Sequence, residues 1–505
     1  MVTALSEEVL TLIPVVLLFV SLAAAALIFP MKEHQVGLRS TVNIGLAVVK
    51  VVLVLLLFPV VLDADLRPEF SMPFLGGIEL VLRVDPLALY FATLSSVLWL
   101  ITTVYAIGYL REGQSRSKFF GFFSLCVTAT VGISFSGNLI TFLVFYEMLT
   151  LVTYPLVAHW GDKKSLRAAR TYLAFTLSGG LALLFGVVWL TIYAGPVDFA
   201  PGGALGVAEL AEHSPGIAIA IFVLLVGGFG VKAALFPLHA WLPKAMVAPA
   251  PVSALLHAVA VVKAGVFGIV RVLDDVYGIE VAAGLGVLPP LLILAGFTVI
   301  YGSYQALRQT DLKARLAYST ISQVNYITVG LALATVTGVA GALAHLVHQG
   351  VMKITLFFCA GLYAEVLGAK DVRQLRGLGR RMPGTSVAFT VGAFGMIGLP
   401  ATAGFISKFQ LGLGALDSEY PWVVAVFIAS SVMNSMYFLP VVYRLWFQAP
   451  EPTEEEETPD RVTEPKSMLY PALTTAAGTL VFGLVASASF LPLDISRQIA
   501  EGVFQ

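Results

Sequence analysis

Apolar runs of about 20 residues recur along this chain from end to end, the length an α-helix needs to cross the hydrocarbon core of a bilayer. Lipid offers no hydrogen bonds, so a backbone placed there must satisfy its own N–H and C=O groups, as a helix does within one segment. Only 12% of the 505 residues are charged and 58% are hydrophobic, whereas a soluble domain carries about a quarter charged residues. An all-α polytopic membrane protein follows. The run near 9–29 has Glu7 and Glu8 before it and no small-residue cleavage pattern, so it reads as a retained span and not as a signal peptide. The two cysteines, Cys126 and Cys359, fall in separate apolar runs, and neither a disulfide framework nor a metal motif is expected.

About 14 transmembrane helices are expected, at roughly 9–29, 41–62, 86–110, 118–136, 138–158, 168–194, 216–240, 252–272, 281–306, 314–334, 337–366, 384–414, 421–446 and 468–490. Basic residues prefer cytoplasmic loops, which tests the count independently. Most of the Lys and Arg fall in alternate loops, 30–40, 111–117, 159–170, 241–251, 307–315, 367–383 and 444–467. The opposite loops and ends hold Arg67, Arg83, Arg271 and Arg497. That alternation places both termini outside. The acidic, proline-rich loop 449–467 reads as a mobile linker, with a docking surface as the alternative.

Two spans are interrupted. Span 216–240 runs into Phe236-Pro237-Leu238-His239-Ala240-Trp241-Leu242-Pro243, and span 384–414 contains Gly395-Met396-Ile397-Gly398-Leu399-Pro400. Proline removes a backbone donor and clashes with the preceding turn. Freed backbone at membrane depth persists only inside protein or beside water, and paired interruptions mark the site of many transporters. Each interruption has a lysine nearby, Lys232 before the first and Lys408 after the second.

Six ionisable groups lie inside apolar runs: Lys50, Glu147, Lys232, Lys263, Lys353 and Lys408. Such groups are costly in a bilayer and mark ion or proton paths by default. Burial disfavours the charged form of an amine and a nearby carboxylate favours it, so Glu147 and Lys232 together read as a two-state element. The alternative is a static ion pair bracing two helices. His257 lies six residues before Lys263, off its helical face. His345 and His348 share a face, as do Gln349 and Lys353. Histidine titrates near neutrality and passes protons. The alternatives are hydrogen-bonded core histidines or a metal pair, and no third ligand accompanies them. Lys50 is the weakest of the six, with snorkelling or a lipid-facing place as the competing reading. No phosphate loop, HExxH, CxxC or nucleophile elbow appears, so no covalent chemistry, cofactor or nucleic-acid partner is expected.

The run Tyr146-Glu147-Met148-Leu149-Thr150, the stretch from Val231 to Ala245 and the run Ala248-Pro249-Ala250-Pro251-Val252-Ser253 through His257 resemble the antiporter-like proton-translocating subunits. Leu316–Gln323 and Gly398–Phe405 match as well, and the likeness spans roughly 85–445. That family includes subunits of Mrp-type cation/proton antiporters, of respiratory complex I and of membrane-bound hydrogenases. The run Lys353-Ile354-Thr355-Leu356-Phe357-Phe358-Cys359-Ala360-Gly361 is most similar to the D-type member of the Mrp group.

The resemblance implies a 14-helix fold with two inverted five-helix repeats and two broken helices. It divides the chain into an N-terminal three-helix segment, 1–117, repeats at 118–272 and 281–446, and an acidic loop with a C-terminal helix, 447–505. In it Glu147 and Lys232 form one switch, and Lys263 with the His345/His348 region leads to Lys408. Members often carry His four residues before the lysine matching Lys353. Here Gln349 stands there and His348 one position earlier, which leaves the relay histidine open. The long lateral helix of the largest complex I homologue is not expected. The implied activity is proton conduction within an Mrp-like Na+/proton antiporter of a bacterial cytoplasmic membrane, with other membrane subunits as partners. The competing readings are a pumping subunit of NADH–quinone oxidoreductase or a hydrogenase, an inorganic-carbon uptake subunit and a free-standing antiporter.

Overall fold

Helices begin where the sequence supplies an acceptor for the orphan N–H groups of a first turn. Asp85 accepts from Ala88 N–H, Asn138 from Thr141, Asp162 from Ser165, Asp311 from Ala314 and Thr335 from Gly338. The computed structural model describes residues 7–63, 66–111, 113, 115–449 and 461–504. Most of the acidic loop, 450–460, lies outside the described residues.

The first helices are α1 (Glu7–Ile28), α2 (Val36–Leu56), α3 (Pro86–Tyr109), α4 (Arg116–Phe135), α5 (Leu139–Val157) and α6 (Lys163–Ala194). Between α2 and α3 stands an antiparallel hairpin, β1 (Glu69–Leu75) and β2 (Ile78–Arg83). The all-α expectation omitted it, although Gly76-Gly77 between two short apolar-rich stretches is a hairpin signal. Both glycines adopt positive φ, +53° and +83°.

The middle of the chain forms α7 (Leu205–His213), α8 (Pro215–Lys232), α9 (Trp241–Lys244), α10 (Ala250–Ala258), α11 (Val261–Arg271) and α12 (Ile279–Gly284). The expected span 216–240 ends as a helix at Lys232, as its Pro-rich sequel requires. A further break, at Val259 and Ala260, separates α10 from α11 where neither Pro nor Gly announces it.

The rest comprises α13 (Leu288–Arg308), α14 (Leu312–Ala332), α15 (Val336–Leu367), α16 (Leu378–Arg381), α17 (Pro383–Ile397), α18 (Ala403–Asp417), α19 (Val423–Phe447), α20 (Lys466–Leu484) and α21 (Pro492–Val503). Among the described residues 12 helical segments are long and apolar enough to cross a membrane. The count of 14 differs by α14, which is too polar, and by the broken α17–α18 unit, whose halves have 15 residues each. The chain is a multi-pass membrane protein.

Three helices form the interior. Every residue of α10 and α11 is buried, and in α15 every residue from Gly338 to Tyr363 is buried. A helix without a lipid-facing side is free of the apolar requirement, and polar side chains concentrate there. α15 packs against α10, α14, α17, α18, α20 and α21. The terminal α21, absent from the expected spans, docks on this axis, and its Ser496 donates to the Tyr90 hydroxyl of α3.

The α17–α18 break depends on Gly398, which ends α17 at φ +93°. An L side chain is strained there by roughly 1–3 kcal/mol. Gly398→Ala is therefore expected to lower the thermal midpoint of the detergent-solubilised protein, measured beside a Gly412→Ala control in open surroundings.

Candidate functional site

Glu147 projects from α5 toward α6, where only a glycine leaves room for it. A Cβ at Gly180 would lie 2.1 Å from Glu147 Oε1. That oxygen is buried without a protein partner. Lys232, the last residue of α8, is fully buried and donates to the Tyr146 carbonyl at 2.6 Å, with its Nζ 3.3 Å from the centre of the Tyr146 ring. The expected Glu147–Lys232 contact is not made. The ion pairs among the described residues join Arg83 to Glu69, Arg116 to Glu33, and Arg271 to Asp85 and Asp275. The amine thus grips the backbone of the residue beside the carboxylate.

α11 reaches the end of α8 because Gly265 carries no side chain: a Cβ there would stand 2.3 Å from the Ala233 nitrogen. This places Lys263 between α8 and α15, and its Nζ donates to the Leu346 carbonyl at 2.7 Å. His257 is fully buried on α10 against the Phe357 ring, 4.6 Å between centres, and neither ring nitrogen has a protein partner.

On α15 the two histidines point apart. His345 Nδ1 lies 2.9 Å from the hydroxyl of Ser407, the neighbour of Lys408, and its ring stacks on Tyr326 at 5.3 Å. Lys408 Nζ lies 5.3 Å from the same Tyr326 ring. His348 instead faces Phe482 of α20 at 5.9 Å, and neither of its ring nitrogens has a protein partner. Of the two, His345 is the one brought to Lys408.

Lys353 is joined to Lys408 by a route that no sequence motif announces. Its Nζ donates to Ser319 Oγ of α14 at 2.9 Å. The Tyr437 hydroxyl of α19 lies 3.0 Å from the same Ser319 oxygen and also donates to Asn434 Oδ1. Asn434 Nδ2 donates to the Met396 carbonyl at 3.1 Å, and Lys408 Nζ donates to that carbonyl at 2.7 Å and to Ile397 at 3.1 Å. Met396 and Ile397 end α17, so Lys408 satisfies carbonyls that the helix break leaves without an intrahelical donor. Ser319 lies within the family-like run 316–323. Asn434 and Tyr437 carry only the weaker signal of two polar residues three apart on one helix.

Lys50 is neither snorkelling nor lipid-facing. It is fully buried, its Nζ donates to Ser21 Oγ of α1 at 2.6 Å, and it stands 5.5 Å from the Trp99 ring centre. The packing of α2 against α1 and α3 turns it inward. Among the described residues no group of three or more His, Cys, Asp and Glu side chains could hold a metal ion.

Tyr437→Phe removes one hydroxyl that serves both Ser319 and Asn434 while leaving the ring. The expected cost is about 1–3 kcal/mol, read as a lower thermal midpoint in detergent.

Residues 136–434 match the family described as "NADH:quinone oxidoreductase/Mrp antiporter, TM". The chain is 37% identical over 428 residues to NADH-quinone oxidoreductase subunit N of Desulforudis audaxviator, covering 81% of this chain and 82% of that protein. It is 27% identical over 425 residues to the D component of the Na(+)/H(+) antiporter of Alkalihalophilus pseudofirmus, covering 84% of this chain and 83% of that one. The longer A component of the Na(+)/H(+) antiporter of the same organism also matches, and the chain spans 56% of its length. In fold it is similar to a chain of the Mrp complex from Dietzia sp. DQ12-45-1b, with TM-score 0.83, 22% identity and coverage of 99% and 98% of the two chains. The chain belongs to the NADH:quinone oxidoreductase/Mrp antiporter transmembrane family.

Proposed function

We propose that this member of the antiporter-like family is the proton-conducting subunit of a multi-subunit, Mrp-like monovalent cation/proton antiporter, with Na+ as the exchanged cation. Its setting is a bacterial cytoplasmic membrane, with both termini outside, and its partners are other membrane subunits. It carries out no covalent chemistry. The two antiporter-like repeats are assigned to 118–272 and 281–446. The 27% identity to the D component of an Na(+)/H(+) antiporter over most of both chains supports this reading.

The observation that carries the proposal is the set of four amines held by neutral oxygens, three of them buried, Lys232 on Tyr146, Lys263 on Leu346 and Lys353 on Ser319, and one half-buried, Lys408 on Met396 and Ile397. A carbonyl or hydroxyl oxygen accepts from an amine as well as from an ammonium. Such a site holds the lysine without fixing its charge. Movement of the Glu147 carboxylate toward or away from Lys232 then biases the proton on that amine, since a nearby carboxylate favours the charged form in a low dielectric. We assign Glu147 and Lys232 as the switch, and Lys263 and His257 as the passage to α15. His345, His348 and Lys353 lead on, with His345 and the Ser319–Tyr437–Asn434 line as the contacts nearest Lys408. Lys408 delivers the proton to the other side.

A second reading, a pumping subunit of a redox complex, is supported by the 37% identity to a complex I subunit N. Purification of the native assembly separates the two. The antiporter reading expects small membrane subunits alone, and co-purifying flavin or iron–sulfur subunits would replace it. In inverted vesicles Glu147→Ala and Lys408→Ala are each expected to abolish ion-driven proton movement with assembly intact. Wild-type transport by Glu147→Ala would remove the switch.

A further inference from the structure

A second set of buried charges stands apart from the central file, on the hairpin side of the molecule. Beyond Arg271, α11 widens into a π turn, Val272–Val276, a rare form that collects at functional sites. The turn carries Asp274 and Asp275. Arg271 is 1% exposed and divides its guanidinium between two acids. Its Nη1 donates to Asp275 Oδ2 at 2.7 Å, and its Nη2 to Asp85, the residue that caps α3, at 2.8 Å. Asp274 receives nothing. It is 1% exposed, and both of its carboxylate oxygens are without a protein partner, as is Arg271 Nε.

The nearby cations are engaged elsewhere. Arg83 pairs with Glu69 and donates to the Phe199 carbonyl at 2.8 Å, and Arg67 donates to the carbonyls of Val61 and Leu66. Three carboxylates thus face one guanidinium. Charges inside proteins are paired or hold an ion, because an uncompensated one is costly. These groups also line one void, a cavity of about 390 Å³. Asp85, Arg271, Asp274 and Asp275 belong to its wall, and Gln498 and Gly502 of α21 stand exposed at its rim. The side chains of Asp85 and Asp275 remain 19% and 11% accessible, so water reaches the acids that share the guanidinium. Asp274 is the deepest of the three acids.

We propose that this cavity binds a monovalent alkali cation, with Asp274 supplying the negative charge that no protein group balances. Calcium and magnesium ions demand six or more oxygens around one point, several of them from carboxylates. Among the described residues no three acidic side chains converge in that way. A monovalent ion needs less charge, and a void of this size lets it keep part of its water. The cavity shares no residue with the Glu147–Lys408 file. Binding here does not depend on proton conduction, and proton transport in vesicles tests that function separately.

The test is equilibrium binding of sodium-22 and rubidium-86 to the purified chain in nanodiscs of neutral lipid. The wild type should bind at least one of the two ions saturably, and an equal concentration of calcium should not displace it. Asp274→Asn keeps the shape of the side chain and leaves both Arg271 pairs in place. It should weaken binding at least tenfold, whereas Glu147→Gln should bind as the wild type does. Saturable binding of neither ion overturns the proposal, as does undiminished binding by Asp274→Asn. Displacement by calcium overturns the monovalent assignment, and loss of binding in Glu147→Gln would place the ion in the central file instead. If Asp274→Asn fails to fold, Gly502→Lys brings an ammonium to the rim from a position with nothing within 4 Å of the added carbon. That variant must weaken binding likewise, and wild-type binding by it refutes the site.

Discussion

Buried lysine amines held by neutral oxygen are the interaction on which this structure depends. A charged side chain in hydrocarbon is expensive, and a carboxylate partner would fix its charge along with its position. Here the acceptors are backbone carbonyls at Tyr146, Leu346, Met396 and Ile397, and hydroxyls at Ser319 and Ser21. A mid-helix carbonyl has a second lone pair free after its intrahelical bond, and a carbonyl at a helix end has both. Each lysine is therefore anchored in place by an acceptor that takes a hydrogen bond from an amine or an ammonium alike. The one carboxylate in this file, Glu147, stands next to the first anchor and not on it.

The rest of the fold supplies what such anchors need. Lys263 and Lys353 stand on helices with no lipid-facing side, since α11 and most of α15, like α10, are enclosed on every face. They require room, which Gly180 leaves for the Glu147 side chain and Gly265 leaves for the backbone at the end of α8. They require carbonyls released from helical bonding, and the α17–α18 break releases those that hold Lys408. Interruption, glycine placement and buried charge are thus parts of one arrangement.

The class of fold was legible from run length alone, and both announced helix interruptions lie where Pro and Gly put them. The six charges were legible as anomalies because each violates the composition around it. What stayed hidden is instructive in physical terms. The β1–β2 hairpin had a Gly-Gly turn signal that a count of apolar runs passes over. The break at Val259 has no local signature, since neither Pro nor Gly stands there. Helix α14 was expected at 314–334, and it is less apolar than a lipid-facing span because it is interior and carries polar residues such as Ser319. Tyr437 and Asn434 could not be selected, because hydroxyls and amides are common in membrane helices and only their partners distinguish them. Lys50 looked isolated because its companions, Ser21 and Thr128, come from other helices. The two histidines of α15 share a helical face, yet separate packing against Ser407 and Phe482 sends their rings to different neighbours.

The central claim is that Lys232 changes its protonation under the control of Glu147. Nitrogen-15 NMR of lysine-labelled protein in bilayers reads this directly, because amine and ammonium nitrogens resonate apart. Two interconverting Lys232 signals are expected in the wild type, with a ratio that moves with the applied proton gradient, and a single fixed form in Glu147→Gln. One unchanging Lys232 signal in both proteins would contradict it.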